Sequence, residues 1–288
     1  VNSILFEILS ECRKTKEFFC FVKEDIFMAL SEILTGAFSG DASTLENIKN
    51  NYEICSKTDK LLSETYNEKA AGNNLTHYGY QIKILADYIS ENSFDYEVFK
   101  EIWIENMISY DGYIDEASSK SLEYYKNGYL FGYESEELGG AARIGPVMYF
   151  EKDRETALEK ALEQTQVTHT SYRSLLVTEF LVKFLYKICE LFNIREAAES
   201  TVKSFRNDVK KYEYLEKAYS RAIKYQDCNF EEIENKSGIF FKNDEFPVIL
   251  YICIKYSSFE EAQYANIRIK GDFAVRGIIL GMIFGAAS

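Results

Sequence analysis

Lys270-Gly271-Asp272-Phe273-Ala274-Val275-Arg276-Gly277-Ile278-Ile279-Leu280-Gly281-Met282-Ile283-Phe284-Gly285-Ala286-Ala287 is the stretch around which the sequence is organised. Val275, Ile278, Ile279, Met282, Ile283 and Ala286 recur at helical spacing and predict one buried face. Gly277, Gly281 and Gly285 fall every fourth residue on another face. A glycine inside a helix costs about 1 kcal/mol against alanine. Three on one ridge predict that a second helix backbone lies against them, where a Cβ would clash. Asp272 stands at the mouth of this helix, where unpaired backbone N–H groups gather. The last helix is therefore expected at the centre of the fold.

The sequence of 288 residues is long enough for one large domain with a real core. It is 47% hydrophobic and 15% aromatic, which indicates a globular rather than a disordered chain. Its formal net charge of -13 argues against a general nucleic-acid or anionic-membrane surface, because phosphate binding needs clustered Lys and Arg. Cys12, Cys20, Cys55, Cys189, Cys228 and Cys253 show no CxxC and no short metal-type spacing, and with two histidines a zinc site is not expected. They read as reduced, buried cysteines of an intracellular protein. The first 34 residues carry charge throughout, unlike a secretory leader, and no apolar run reaches a membrane span. A soluble, cytoplasmic protein is expected.

Along the chain, residues 1–24 read as an amphipathic helical extension and 25–288 as the main domain. Ile26 to Phe38 is helical and is expected to stop at Gly40-Asp41-Ala42-Ser43. Residues 43–76, polar and rich in Asn and Lys, read as a long loop. Tyr80–Ser90, Tyr96–Met107 and Ser118–Tyr125 are predicted helices, followed by the glycine-dense Leu138-Gly139-Gly140-Ala141-Ala142-Arg143-Ile144-Gly145-Pro146. Further helices are predicted from Thr170 to about Asn193 and over Arg195–Val209, Tyr212–Tyr225 and Pro247–Tyr256. Pro146 and Pro247 each stand where a turn gives way to helix. No stretch alternates as a strand does. The pattern predicts an all-α single domain without an internal repeat.

Three blocks in this order resemble the ADP-ribosylglycohydrolase family, in particular its branch that includes the jellyfish J-type crystallins. They are Leu34-Thr35-Gly36-Ala37-Phe38-Ser39-Gly40-Asp41-Ala42; Gly112-Tyr113-Ile114-Asp115-Glu116-Ala117-Ser118 through Gly140–Pro146 to Val167-Thr168-His169-Thr170; and Phe246-Pro247 through Asn266 and Gly271-Asp272 to Gly285-Ala286. The resemblance implies an orthogonal multi-helix fold with a cleft lined by these loops. It also implies hydrolysis of a glycosidic bond to ADP-ribose, usually with two Mg ions. Two adjacent divalent ions need several hard oxygen ligands. The family supplies them from a Thr-Asp-Asp run before an early helix and an Asp-x-Asp-Thr (or Ser) run before the last one.

Here the early run reads Thr76-His77-Tyr78-Gly79-Tyr80-Gln81, without either acid. The late run keeps Asp272, but Ala274 and Val275 replace the second acid and the hydroxyl. One carboxylate cannot hold a dinuclear site, so no metal or other cofactor is expected. Glu46 is short by a residue or two of the place of the glutamate that some members carry after Gly-Asp-Ala.

The residual cleft is expected to comprise Asp41, Gly140, Arg143, His169, Asp272 and Arg276, with no catalytic residue assigned. The resemblance places His169 on the substrate side, against a bracing role for the long helix after it. It places Gly139–Arg143 beside a diphosphate, against a tight turn that the fold needs in any case. Arg143 would clamp a phosphate or pair with a buried acid. Asp272 and Arg276 read as an i,i+4 ion pair, and Asp41 reads as a helix-end cap rather than a catalyst. The favoured expectation is a catalytically inactive member acting as a structural or binding protein, with an unnamed macromolecular partner and a possible nucleotide-like ligand. The alternative is an active hydrolase with an altered or absent metal site. Residues 1–24 and 43–76 are where a new partner surface would most cheaply arise.

Overall fold

Carbonyl oxygens of one helix rest against glycines of another at the centre of the molecule. The structure, a computed structural model, describes residues 21–50, 75–228 and 244–288. Those residues form helices and no strands: α1 (Phe21–Asn50), α2 (His77–Glu91), α3 (Tyr96–Ser109), α4 (Glu116–Lys126), α5 (Gly139–Ala142), α6 (Gly145–Phe150), α7 (Arg154–Gln166), α8 (Tyr172–Leu191), α9 (Ile194–Ser204), α10 (Val209–Tyr225), α11 (Glu245–Lys255), α12 (Phe259–Asn266) and α13 (Phe273–Ala286). The all-α expectation holds.

The central pair is α1 and α13. A Cβ on Gly281 would lie 2.8 Å from the Gly36 carbonyl carbon, and one on Gly36 would lie 2.7 Å from the Gly281 carbonyl carbon. Gly40 meets Gly277 and Gly285 meets Glu32 in the same way, at 2.8 and 2.9 Å. No side chain fits at such separations, so the glycine ridge is explained by backbone contact. The predicted apolar face of α13, Val275 to Ala286, is buried, and α11, α12 and α8 pack around it.

Side-chain caps punctuate the remaining helices. Asp95, Asp115, Asp153, Ser171, Asn193, Asp208 and Ser258 each accept a backbone N–H two or three residues into the helix they precede. Pro146 and Pro247 sit in first turns, as predicted. Cys189 and Cys253 are buried as expected, Cys228 is only half-buried, and none of the three is in a disulfide among the described residues.

Several boundaries differ from the sequence reading. Helix α1 does not stop at Gly40–Ser43 but runs on to Asn50. Gly40 is there to meet Gly277, not to end a helix, and the Thr44 hydroxyl bonds back to the Gly40 carbonyl (2.8 Å). Helix α9 ends at Ser204, and α10 begins at Val209 because Asp208 caps it. Helices α7 and α12, which the sequence reading does not place, bury small and amide side chains rather than a long apolar stripe. Residues 1–20 and 51–74, most of the expected extension and loop, lie outside the described residues. No described helix is long and apolar enough to cross a membrane.

Replacing Gly281 with alanine is expected to destabilise the protein by about 3 kcal/mol or more, because backbone on both sides must move. Gly145→Ala, whose Cβ would meet nothing nearer than 3.4 Å, is expected to stay within about 1 kcal/mol of the parent. Urea unfolding of the two variants checks this. Equal losses would mean that α1 and α13 are not in backbone contact.

Candidate functional site

The α1–α13 contact fixes what stands at the mouth of α13. Asp272 caps this helix: its Oδ1 accepts the backbone N–H groups of Ala274 (3.1 Å) and Val275 (3.0 Å). Its Oδ2 accepts the Tyr78 hydroxyl at 2.6 Å. Burial raises the pKa of this carboxyl, against the lowering effect of the Tyr78 bond. Arg276, one turn on, is fully buried and does not pair with Asp272. Its guanidinium forms an ion pair with Glu245 and donates to the Asn266 side chain and to the carbonyls of Asn266, Ile269 and Lys270. Glu245 also accepts the Asp272 backbone N–H (3.0 Å). The expected i,i+4 pair is thus replaced by an ion pair to α11, because the carboxylate of Asp272 is already occupied as a cap.

On the other side, Asp41 projects from the middle of α1 and is fully buried. It accepts the Thr76 hydroxyl and the Thr76 backbone N–H (2.9 Å), and Thr76 in turn caps α2 through Gly79 N. Gly79 leaves room for this carboxylate; a Cβ there would strike it. Asp41 therefore does not end its own helix, as the sequence suggested, but anchors the start of another. Burial pushes its pKa up to about 6, opposed by the two Thr76 bonds and by His77.

The glycine-dense loop closes against His169. A Cβ on Gly139 would lie 2.8 Å from the Tyr78 ring and 3.2 Å from His169 Cε1, and one on Gly140 would lie 3.1 Å from His169 Nδ1. The Gly140 carbonyl accepts Gln164 Nε2 (2.9 Å). Arg143, also buried, spends its guanidinium on Gln164 Oε1 (2.8 Å), Gln81 Oε1 (2.5 Å), the Gln164 carbonyl (2.7 Å) and the Thr168 hydroxyl (3.1 Å). These acceptors are amide, carbonyl and hydroxyl oxygens, with no carboxylate partner among the described residues; burial pushes its pKa down to about 10. His169 is not the cap of α8, a role taken by Ser171. Its Nδ1 bonds the Thr168 hydroxyl (2.7 Å), and burial pushes its pKa down to about 4.

Asp115, which the sequence reading did not single out as a site residue, completes the arrangement. Its Oδ1 caps α4 through Ser118 N (3.0 Å) and lies 3.6 Å from His77 Nε2. Although burial works against its charge, His77, His169 and Ser118 hold it well below the usual carboxylate range. Glu137 comes in from the loop before α5. It keeps exposed surface, yet the protein around its carboxyl, followed by the charges of Asp115, Asp272 and Glu116, pushes its pKa up to about 7. Asp115, Glu137 and Asp272 thus share one acidic neighbourhood, while Arg143 and Arg276 are both committed to interior partners.

A sequence profile of the ADP-ribosylglycohydrolase family matches residues 29–288. The chain belongs to the ADP-ribosylglycohydrolase family. A solved structure described as an "ADP-ribosylglycohydrolase-related protein complex" has the same fold, with a TM-score of 0.58 and 17% identity over 92% of this chain and 88% of that one. No curated protein matches the chain significantly.

The structure therefore brings Gly140, Arg143 and His169 into one network and joins the Asp272 backbone and the Arg276 guanidinium through Glu245. Asp41 lies behind them at the base of α2. Asp115 and Glu137 escaped the sequence reading because nothing in their spacing ties them to His169. The Asp-Glu-Ala-Ser start of α4 reads as an ordinary cap.

Asp41 gives a pH test. Its folded pKa of about 6 exceeds the ordinary 3.8, so the folded state takes up this proton first and the group's contribution to stability rises as pH falls between those values. Relative to Asp41→Asn, the wild type is expected to gain about 2 kcal/mol on going from about pH 7 to about pH 4. Urea unfolding across this range measures it; a pH-independent difference would contradict the raised pKa of the buried Asp41.

Proposed function

We propose that this chain is a non-hydrolysing member of the ADP-ribosylglycohydrolase family, similar to its J-type crystallin-like branch, that serves as a structural or binding protein. One observation carries the reading. Asp272 is the sole carboxylate left from the family's magnesium ligands, and both its oxygens are engaged within the protein, one as the cap of α13 and one by Tyr78. His77 and Tyr78 occupy the run where the family places its early acids. The residues present do not fit a pair of magnesium ions, which needs several free hard-oxygen ligands.

The charges point the same way. A diphosphate entering this neighbourhood would meet Asp115, Glu137 and Asp272, while Arg143 and Arg276 are held by partners within the protein. With Asp272 committed to the fold and no magnesium pair to bridge it to phosphate, binding an anionic sugar nucleotide there is opposed by like charge. The binding role therefore falls to other surfaces, and the partner is proposed to be a macromolecule.

The test is a release assay with the full chain, using ADP-ribosylated protein and excess Mg. The expected outcome is release no faster than in buffer. Magnesium-dependent turnover that Asp272→Asn abolishes, a change that keeps the cap, would overturn the reading.

A further inference from the structure

Asp115, Glu137 and His169 arrive from three separate stretches: the start of α4, the loop before α5 and the turn between α7 and α8. Each offers one ligand atom, and these atoms all lie within 4.8 Å of one another. Independently of that convergence, Asp115 Oδ2 and His169 Nε2 are buried and have no hydrogen-bond partner among the described residues. The residues that carry them are 3% and 1% exposed. Folded proteins rarely leave such atoms unpaired, and a bound ion is a standard partner for them. The partner atoms on the same side chains are already in use. Asp115 Oδ1 caps α4, and His169 Nδ1 bonds Thr168, so Oδ2 and Nε2 are the atoms left for a ligand.

We propose that Asp115, Glu137 and His169 form a mononuclear site for a divalent first-row transition cation. One imidazole nitrogen with two carboxylates suits ions of the manganese-to-zinc series, whereas magnesium prefers an all-oxygen shell that retains several waters. The groups behind the ligands are those a metal site uses. Thr168 orients the imidazole, and Ser118 N and His77 hold the Asp115 carboxylate from the far side. Glu137, partly exposed, gives the ion a way in from solvent and completes the site by a small swing of its side chain. Three protein ligands leave the remaining positions to water. The set shares no residue with Asp272, the remnant of the family's magnesium ligands, and holds whether or not the chain hydrolyses anything. The sequence reading excluded zinc from cysteine and histidine spacing and the magnesium pair from the missing acids, and a site of two carboxylates and one histidine evades both arguments.

The probe is Mn2+ alone, chosen because cysteine thiolates compete poorly for it. The full 288-residue chain, stripped by chelator and dialysed, is titrated while the paramagnetic resonance signal of free Mn2+ is followed. One Mn2+ is expected per chain, displaced by Zn2+ and not by about a tenfold excess of Mg2+. Glu137→Gln, at a side chain exposed enough not to affect folding, is expected to weaken binding about tenfold or more, and His169→Gln to weaken it further. Glu105→Gln, an exposed acid on α3, should leave affinity unchanged. Absence of saturable binding near one equivalent would overturn the proposal, as would one equivalent held equally well by both Glu137→Gln and His169→Gln.

Discussion

Backbone-to-backbone contact between α1 and α13 is the constraint on which the rest of this structure depends. Gly36 and Gly40 on one helix and Gly277, Gly281 and Gly285 on the other bring carbonyls within reach of Cα atoms, leaving no freedom to slide. That register puts Asp41 one residue beyond a contact glycine and Arg276 one residue before another. Each is buried at a depth set by the helix pair rather than by its own preference. From there Asp41 secures the start of α2, and Arg276 secures α11 through Glu245.

The second feature is how charge is spent. Two guanidiniums are buried, and each is surrounded by acceptors at four or five N–H groups. Arg276 has a carboxylate; Arg143 has only amide, carbonyl and hydroxyl oxygens, an arrangement that holds a charge in the interior at considerable desolvation cost. Both therefore act as internal rivets that fix loops, and neither is presented to a ligand. The unspent polarity is on the opposite side of the balance, in Asp115, Glu137 and His169. A neighbourhood with its cations withdrawn and its carboxylates gathered is suited to a cation and hostile to a diphosphate.

Much of the fold was legible because helices write their contacts into periodicity. The glycine ridge and apolar face of the last helix announced a close helix partner, and the buried stripe of α8 was equally plain. The site was legible only in part. Asp272 at a helix mouth is local chemistry and was read correctly, whereas its i,i+4 relation to Arg276 suggested a pair that a better-placed residue, Glu245, takes instead. Gly40-Asp41 looked like a helix end because glycine and aspartate do end helices; only the tertiary contact with Gly277 makes them interior residues. Glu137 carries no local signal at all, since a lone acid in a loop becomes informative only when the fold sets it beside Asp115 and His169.

The central proposal is that this member of the family does not engage ADP-ribose through magnesium because its helix-mouth acid is committed to the fold. Isothermal titration of the full chain with ADP-ribose, with and without Mg, tests it most directly. The account predicts no binding heat in either condition. Binding that appears or strengthens with Mg would contradict it, because Asp272 would then have to release its cap or Tyr78 to serve a metal.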